Sequence, residues 1–429
     1  MSTNKADLRL TCGLVAELLQ LSTPMIPRHN LIERQLRTFI FLLFSGGLCL
    51  LLVSIALGGN PEIERTRVLF FWRWAELLTL LTTFSMVIGQ KKNSLYRPLV
   101  ISIFVLLGWL IFSSLIGVDV SKSYWGNYYR RDGLLTIVHL LLLAWVCAAS
   151  WQQRFKQFLV SGLVLGELFL SFSVLIWYFF SGVGQQFLPS FITLWLPRFT
   201  LANENMVAGC LAIALPFTWY VFKAGSGYFP GKKFAAVTGG TTLLAIFLTH
   251  SWGAIISIGV VSCLVILNWF GLKHLIFKVG VGVTGVLLVA AVLRSIPSGT
   301  AEDRLQFFPV LLQSVWQRPI AGWGWANVDL AYESVLSDQE RDAQLYLDKA
   351  HSHWLEYLVT SGIVGLALYI YLQYVLISQI FRQDQDKSWR TCLLLTVNIF
   401  ILHSQTNVVS IVEESLFWVV AGISLAKRV

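Results

Sequence analysis

LVISIFVLLGWLIFSSLIG, residues 99–117, carries no charged side chain. Wound as an α-helix at 1.5 Å per residue it reaches about 28 Å, close to the ~30 Å hydrocarbon thickness of a bilayer. The same pattern recurs along the chain. Apolar blocks of spanning length lie near 38–58, 68–88, 99–117, 134–150, 158–180, 206–222, 234–250, 252–271, 279–296, 354–378, 391–405 and 412–426, which makes about twelve expected spans. A β-barrel would instead show shorter, alternating segments.

Composition agrees with that reading. Of 429 residues, 56% are hydrophobic and only 13% charged, with a mean hydropathy of +0.67. A soluble globule of this size would lack the polar surface to cover itself. The sequence therefore predicts an all-α, polytopic membrane helix bundle.

The connections sort by charge. Basic residues gather at Lys91, Lys92 and Arg97; Arg154 and Lys156; Lys232 and Lys233; Lys273 and Lys278; Arg382, Lys387 and Arg390; and Lys427 and Arg428. By the positive-inside rule these loops and both termini are expected to face the cytoplasm, in a cell inner membrane. The formal charge of +9 is thus an orientation signal. It forms no basic stripe with interleaved aromatics, so no nucleic-acid partner is expected. Of six cysteines, Cys49, Cys147, Cys210, Cys263 and Cys392 fall in expected spans and Cys12 in the N-terminal tail, and no CxxC metal pair is present. No metal or other cofactor is expected.

Residues 1–36 read as a cytoplasmic segment, an interfacial helix in form, because Arg9 and Glu17 interrupt its apolar stretch. Residues 37–429 then form the membrane domain. Within it one outer loop, 297–350, is several times longer than most others, and a long ordered loop is usually functional. Its first half, Asp303-Arg304-Leu305 through Val315-Trp316, has helical apolar spacing, so short helices are expected there. PIAGWGW at 319–325 reads as a turn.

The loop closes on Lys349-Ala350-His351-Ser352. From His351-Ser352, nine residues lead to Gly362-Ile363-Val364-Gly365. Together with Asp303-Arg304-Leu305, the Arg-Pro-x-x-Gly-Trp-Gly of 318–324, Asn203-Glu204-Asn205 with Ala208-Gly209, and the stretch from Trp125-Gly126 to Arg130-Arg131-Asp132-Gly133, this resembles the bacterial O-antigen ligases and O-antigen polymerases. The resemblance covers most of the chain from about residue 120. One position departs from it: where the ligases often read Ser-Arg-Gly-Ala, this chain reads Ser251-Trp252-Gly253-Ala254.

The resemblance implies a GT-C-like architecture and a glycosyltransferase. Its donor would be an undecaprenyl-pyrophosphate-linked glycan. Its acceptor would be a hydroxyl of a glycolipid, glycan or protein at the periplasmic face. Ligase, polysaccharide polymerase and protein O-oligosaccharyltransferase share that chemistry and differ in acceptor, and a transporter is the more distant alternative. In this reading His351 is the catalytic base, with Arg304, Arg130 and Arg131 binding pyrophosphate and glycan.

The residues themselves suit those roles. Histidine titrates near neutrality, and the positive end of a helix favours the neutral ring that can accept a proton. Guanidinium stays charged and binds two phosphate oxygens at once. Without the motif, His351 reads as an interfacial polar residue and Arg304 as a solvated loop charge. Arg318 is expected to fix the turn beside it, His353 to point away from the site, and Glu413 and Glu414 to be interfacial. His139, inside a span, needs a partner the sequence does not name.

Overall fold

The computed structural model describes residues 28–57, 61–89, 95–181, 203–224, 231–269, 299–337, 347–383 and 386–426. Every described element is a helix: α1 (Arg28–Ser54), α2 (Pro61–Gly89), α3 (Arg97–Leu115), α4 (Val120–Trp125), α5 (Leu134–Ser150), α6 (Gln153–Ser181), α7 (Glu204–Ala224), α8 (Lys232–Leu248), α9 (Trp252–Trp269), α10 (Gly299–Gln317), α11 (Val328–Glu333), α12 (His353–Arg382), α13 (Lys387–His403) and α14 (Ile411–Leu425). Each expected span before 270 and after 350 falls on one of these helices. The expected span 279–296 lies outside the described residues, as do residues 1–27 of the N-terminal segment. Residues 28–36 belong to α1 and run without a break into the first span.

Among the described residues five stretches are both long and apolar enough to cross a membrane: Ile32–Ser54, Arg97–Leu115, Gln153–Phe179, Glu204–Ala224 and His353–Arg382. Their outward faces fit lipid. Phe104 is 66% exposed, Phe247 63% and Phe381 59%, and a water-soluble protein seldom presents rows of such side chains. The protein is a multi-pass membrane protein.

Packing pairs α1 with α6, α5 with α14, α12 with α3, and α7 with both α8 and α13. At one end of the bundle Tyr96 N–H donates to Leu425 O at 2.9 Å and the Gln383 side chain to Ser424 O at 3.0 Å. Arg97, Arg382, Lys387 and Arg390 belong to this end. At the other end residues 299–337 and 347–353 fold over the helix termini. Val118 N–H donates to Trp323 O, Trp323 N–H to Val359 O and His353 N–H to Ser404 O.

In the long segment before α12 the expected turn at 319–325 is present, and α11 is short. The helix over 299–317 is longer than expected, nineteen residues with Pro309 inside it. It spends its amphipathic face on a second core in which Leu311, Trp323, Val328, Tyr332 and Val359 pack together. His139 finds partners in Glu76 Oε1 at 3.2 Å and Leu135 O at 2.7 Å, with its ring stacked on Trp72.

Candidate functional site

Gly362, the first glycine of the Gly-x-x-Gly, interrupts α12 with φ +68. That left-handed geometry is open to glycine at no steric cost. It frees helix carbonyls, and each finds a new donor. Trp323 N–H reaches Val359 O at 3.0 Å, Gly324 N–H reaches Thr360 O at 2.8 Å, and Trp109 Nε1 reaches Ser361 O at 2.8 Å. In return Ile363 N–H donates to Pro319 O at 2.9 Å. A Cβ at Gly362 would collide with the Ile320 carbonyl. The 319–325 turn is therefore docked into a break in the helix that begins just after His351. Arg318 holds the same turn, with its Nη1 3.2 Å from Ile116 O and its guanidinium over Trp323.

Trp325 carries the next link. Buried against Tyr357, it donates its indole N–H to Asp132 O at 2.8 Å. That bond ties the Arg130-Arg131-Asp132-Gly133 stretch to the long segment. Two ion pairs then join the stretch to the residues around His351, and a third, Lys349 with Glu356, closes the cluster. Arg130 Nε meets Asp348 Oδ2 at 2.5 Å, and Lys349 Nζ lies 2.5 Å from both Asp132 Oδ2 and Glu356 Oε1. Tyr129 donates its hydroxyl to the same Asp348 oxygen. Glu414 lies within electrostatic reach of Lys349, Glu356 and Asp132.

Charge pairing dominates this cluster. Burial alone would raise the Asp132 carboxyl, but the Lys349 ammonium and then Arg130 hold it below its ordinary value. Asp348 likewise stays low despite burial because Arg130 and the Tyr129 hydroxyl face it. Burial opposes the charge on Lys349, yet Asp132 and Glu356 raise its affinity for the proton, and Asp348 does the same for Arg130. Burial and then the bond to Asp348 push the Tyr129 phenol up to about 12.

His351 sits one residue before the N-cap of α12, where the Ser352 hydroxyl accepts from Leu355 N–H. The cap is supported from the loop that follows α13. Gln405 Oε1 accepts from Ser352 Oγ and from Trp354 N–H, both at 3.1 Å. His351 is partly exposed at φ +52. Four described non-glycine residues take positive φ: Arg131, His250, Ala326 and His351. Such backbone costs on the order of 1–3 kcal/mol each and collects where function requires it. Two of the four, Arg131 and His351, were singled out from the sequence.

Arg131 rests its guanidinium over the rings of Tyr128 at 5.7 Å and Trp125 at 6.0 Å, and its buried Nε has no hydrogen-bond partner. Arg304 lies on α10, and its side chain falls outside the described residues. Trp252 is 43% exposed at the start of α9. A Cβ on the adjacent Gly253 would meet Thr406 and Asn407, so this segment abuts the α13–α14 loop that also carries Gln405. Among the tryptophans named in the loop, Trp323 and Trp325 are buried in the fold, while Trp316 at 82% and Trp354 at 37% face outward.

Gly362 is the break that receives the 319–325 turn. Two sequence expectations need correction. His353 turns into the bundle, buried against Tyr357 and Tyr369, because the cap at Ser352 sets the helix phase. Glu413 is 1% exposed, accepts from Ser410 in a capping box and faces His403 Nδ1 at 3.1 Å, so it is no interfacial charge. The cluster of Asp132, Asp348, Lys349 and Glu356 was also missed. Glu356 gave the one local signal, a carboxylate in the first turn of an apolar span.

Fold and site define a class: a helical membrane protein whose loops assemble a buried polar cluster at one end of the bundle. Within it, residues 237–370 match the family model described as O-antigen ligase, a stretch that runs from α8 through Trp252, His351 and Gly362 into α12. That match supports the O-antigen ligase/polymerase family for this chain, and Arg130 and Arg131 lie outside it. No curated protein matches the chain.

Proposed function

We propose that the protein transfers a glycan from an undecaprenyl-pyrophosphate carrier to an acceptor hydroxyl at the outer membrane–water interface. The observation that carries this reading is the placement of His351. It is the one partly exposed histidine at the head of α12, held in a left-handed conformation between an ion-paired segment and a doubly supported N-cap. In the family this histidine closes the large loop, as it does here.

The chemistry follows from the residues. The His351 ring takes the acceptor proton as the hydroxyl oxygen attacks the anomeric carbon. The carrier pyrophosphate leaves with the bonding electron pair and needs cations. Arg131 offers a guanidinium without an ion pair among the described residues, and Arg304 lies at the opposite end of the outer segment. Arg130 binds Asp348 through Nε, which leaves its terminal nitrogens for phosphate while anchoring the loop. With Trp252 in place of the usual arginine, these three side chains carry the phosphate clamp.

Transfer in proteoliposomes tests the reading. With an undecaprenyl-pyrophosphate-linked glycan as donor and a glycolipid acceptor supplied on the loop side, the expected result is acceptor-dependent release of undecaprenyl pyrophosphate. Solute flux without any transfer to glycolipid, glycan or protein acceptors would favour a transporter instead.

A further inference from the structure

Glu167 lies midway along α6, where the glycan chemistry has no use for it. It is 0% exposed. Its Oε2 accepts from the Thr218 hydroxyl of α7 at 2.5 Å, Thr242 of α8 stands within hydrogen-bonding reach of the same carboxylate, and its Oε1 is buried without a hydrogen bond of regular geometry. One turn further along α6, Ser171 Oγ is 2.9 Å from Thr242 Oγ1 of α8. Thr218 also packs on α8, since a Cβ at Gly239 would sit 3.6 Å from its methyl group. Register therefore rises together on α6 and α8, and the two helices run parallel. Thr238, one turn before Thr242, is level with Glu167. It too is 0% exposed, and its Oγ1 has no partner.

Two oxygens without a regular hydrogen bond thus lie at one level in the bundle, and one belongs to an acid. A buried water would satisfy hydrogen bonds there, but it would not balance the charge of a carboxylate held away from solvent. The nearer of the two cations on the same helix, Lys156, is eleven residues earlier, about 16 Å along the axis, with its ammonium 4.2 Å from the Trp389 ring centre, and Arg154 lies farther still. Lys156 does not reach Glu167. An ionisable group in this setting is a site by default when its partner is missing.

We infer that Glu167 and the hydroxyls of Ser171, Thr218, Thr238 and Thr242 form an intramembrane site for one monovalent cation seated on the carboxylate. A proton and a sodium ion share the required chemistry. As a proton, the cation sits on Oε1 and is donated to the level hydroxyl. As sodium, it is ligated by the carboxylate and the surrounding hydroxyl oxygens. The site stands apart from the outer-face chemistry and does not depend on the transferase reading.

Infrared difference spectroscopy of the full chain in proteoliposomes reads the occupant directly. The spectrum of wild type minus Glu167→Gln is recorded in sodium-free choline buffer at neutral pH, then after addition of sodium chloride. A protonated-acid carbonyl band that sodium leaves unchanged assigns the proton. Its replacement by carboxylate bands on sodium addition assigns sodium. Carboxylate bands already present without sodium, and no acid band, overturn the proposal, because the protein then supplies its own countercharge. Thr238→Val gives a second reading that needs no change at Glu167: the acid band, or the sodium response, is expected to shift, and an unmoved spectrum removes Thr238 from the site.

Discussion

Arg130 and Asp348, 218 residues apart in sequence, meet at 2.5 Å and hold the α4–α5 loop against the segment that leads into His351. Both side chains are mostly buried, and breaking such a pair from one side costs about 3–5 kcal/mol because the other charge is stranded. Arg130→Ala and Asp348→Ala are each expected to lower thermal stability strongly. The double variant is expected to lose less than their sum, with a coupling of about 1–3 kcal/mol. Additive losses in the double-mutant cycle would show that the pair does not join the two segments.

The cluster also fixes a pH dependence. Asp132 and Asp348 have lowered values, so their contribution is present above the ordinary carboxylate range, near 3.9, and is lost only as pH falls through lower folded values. Lys349 has a raised value, so its contribution is complete below about 10.4 and is lost only as pH rises past a still higher folded value. Lys349→Met leaves the buried carboxylates that face it without a countercharge, so their affinity for protons rises and its stability deficit should shrink as pH falls toward about 5. A deficit that stays flat between about pH 5 and 9, followed by thermal unfolding, would contradict the assignment.

Gly362→Ala should cost well over 1 kcal/mol, since it adds a left-handed alanine to a collision with the Ile320 carbonyl. Limited proteolysis should then cut within 319–325. Gly108→Ala, on α3 with open space at the Cβ position, is the control and should be close to neutral. Equal effects of the two substitutions on melting temperature would sink this account of the glycine.

The proposed orientation puts the long segment outside. Trp316 is 82% exposed, so a cysteine there should react with an impermeant maleimide in intact cells. Reaction only after permeabilisation would place the site in the cytoplasm and end the carrier-dependent mechanism.

How much of this was legible follows from how local each signal is. A charge-free run such as 99–117 declares a helix by itself, and the turn at 319–325 is written in its proline and glycines. The His351 motif was visible because its spacing is contiguous. Glu76 as the partner of His139, Asp348 for Arg130 and Asp132 for Lys349 were not visible, because pairing across distant helices leaves no mark on the neighbouring sequence. Glu413 misled for the same reason. Two adjacent carboxylates at a span boundary look interfacial until His403 is folded against one of them. Gly362 was recognised as part of a motif, but its task depended on a turn from elsewhere in the chain.

The central claim rests on His351, and one comparison tests it most directly: transfer from an undecaprenyl-pyrophosphate-linked glycan by wild type and by His351→Ala, at equal membrane level and equal melting temperature. The account predicts a loss of turnover of about 10² to 10⁴, the usual worth of a general base, with donor binding retained. Turnover close to wild type in the folded variant would reduce His351 to a structural element at the head of α12 and contradict the mechanism.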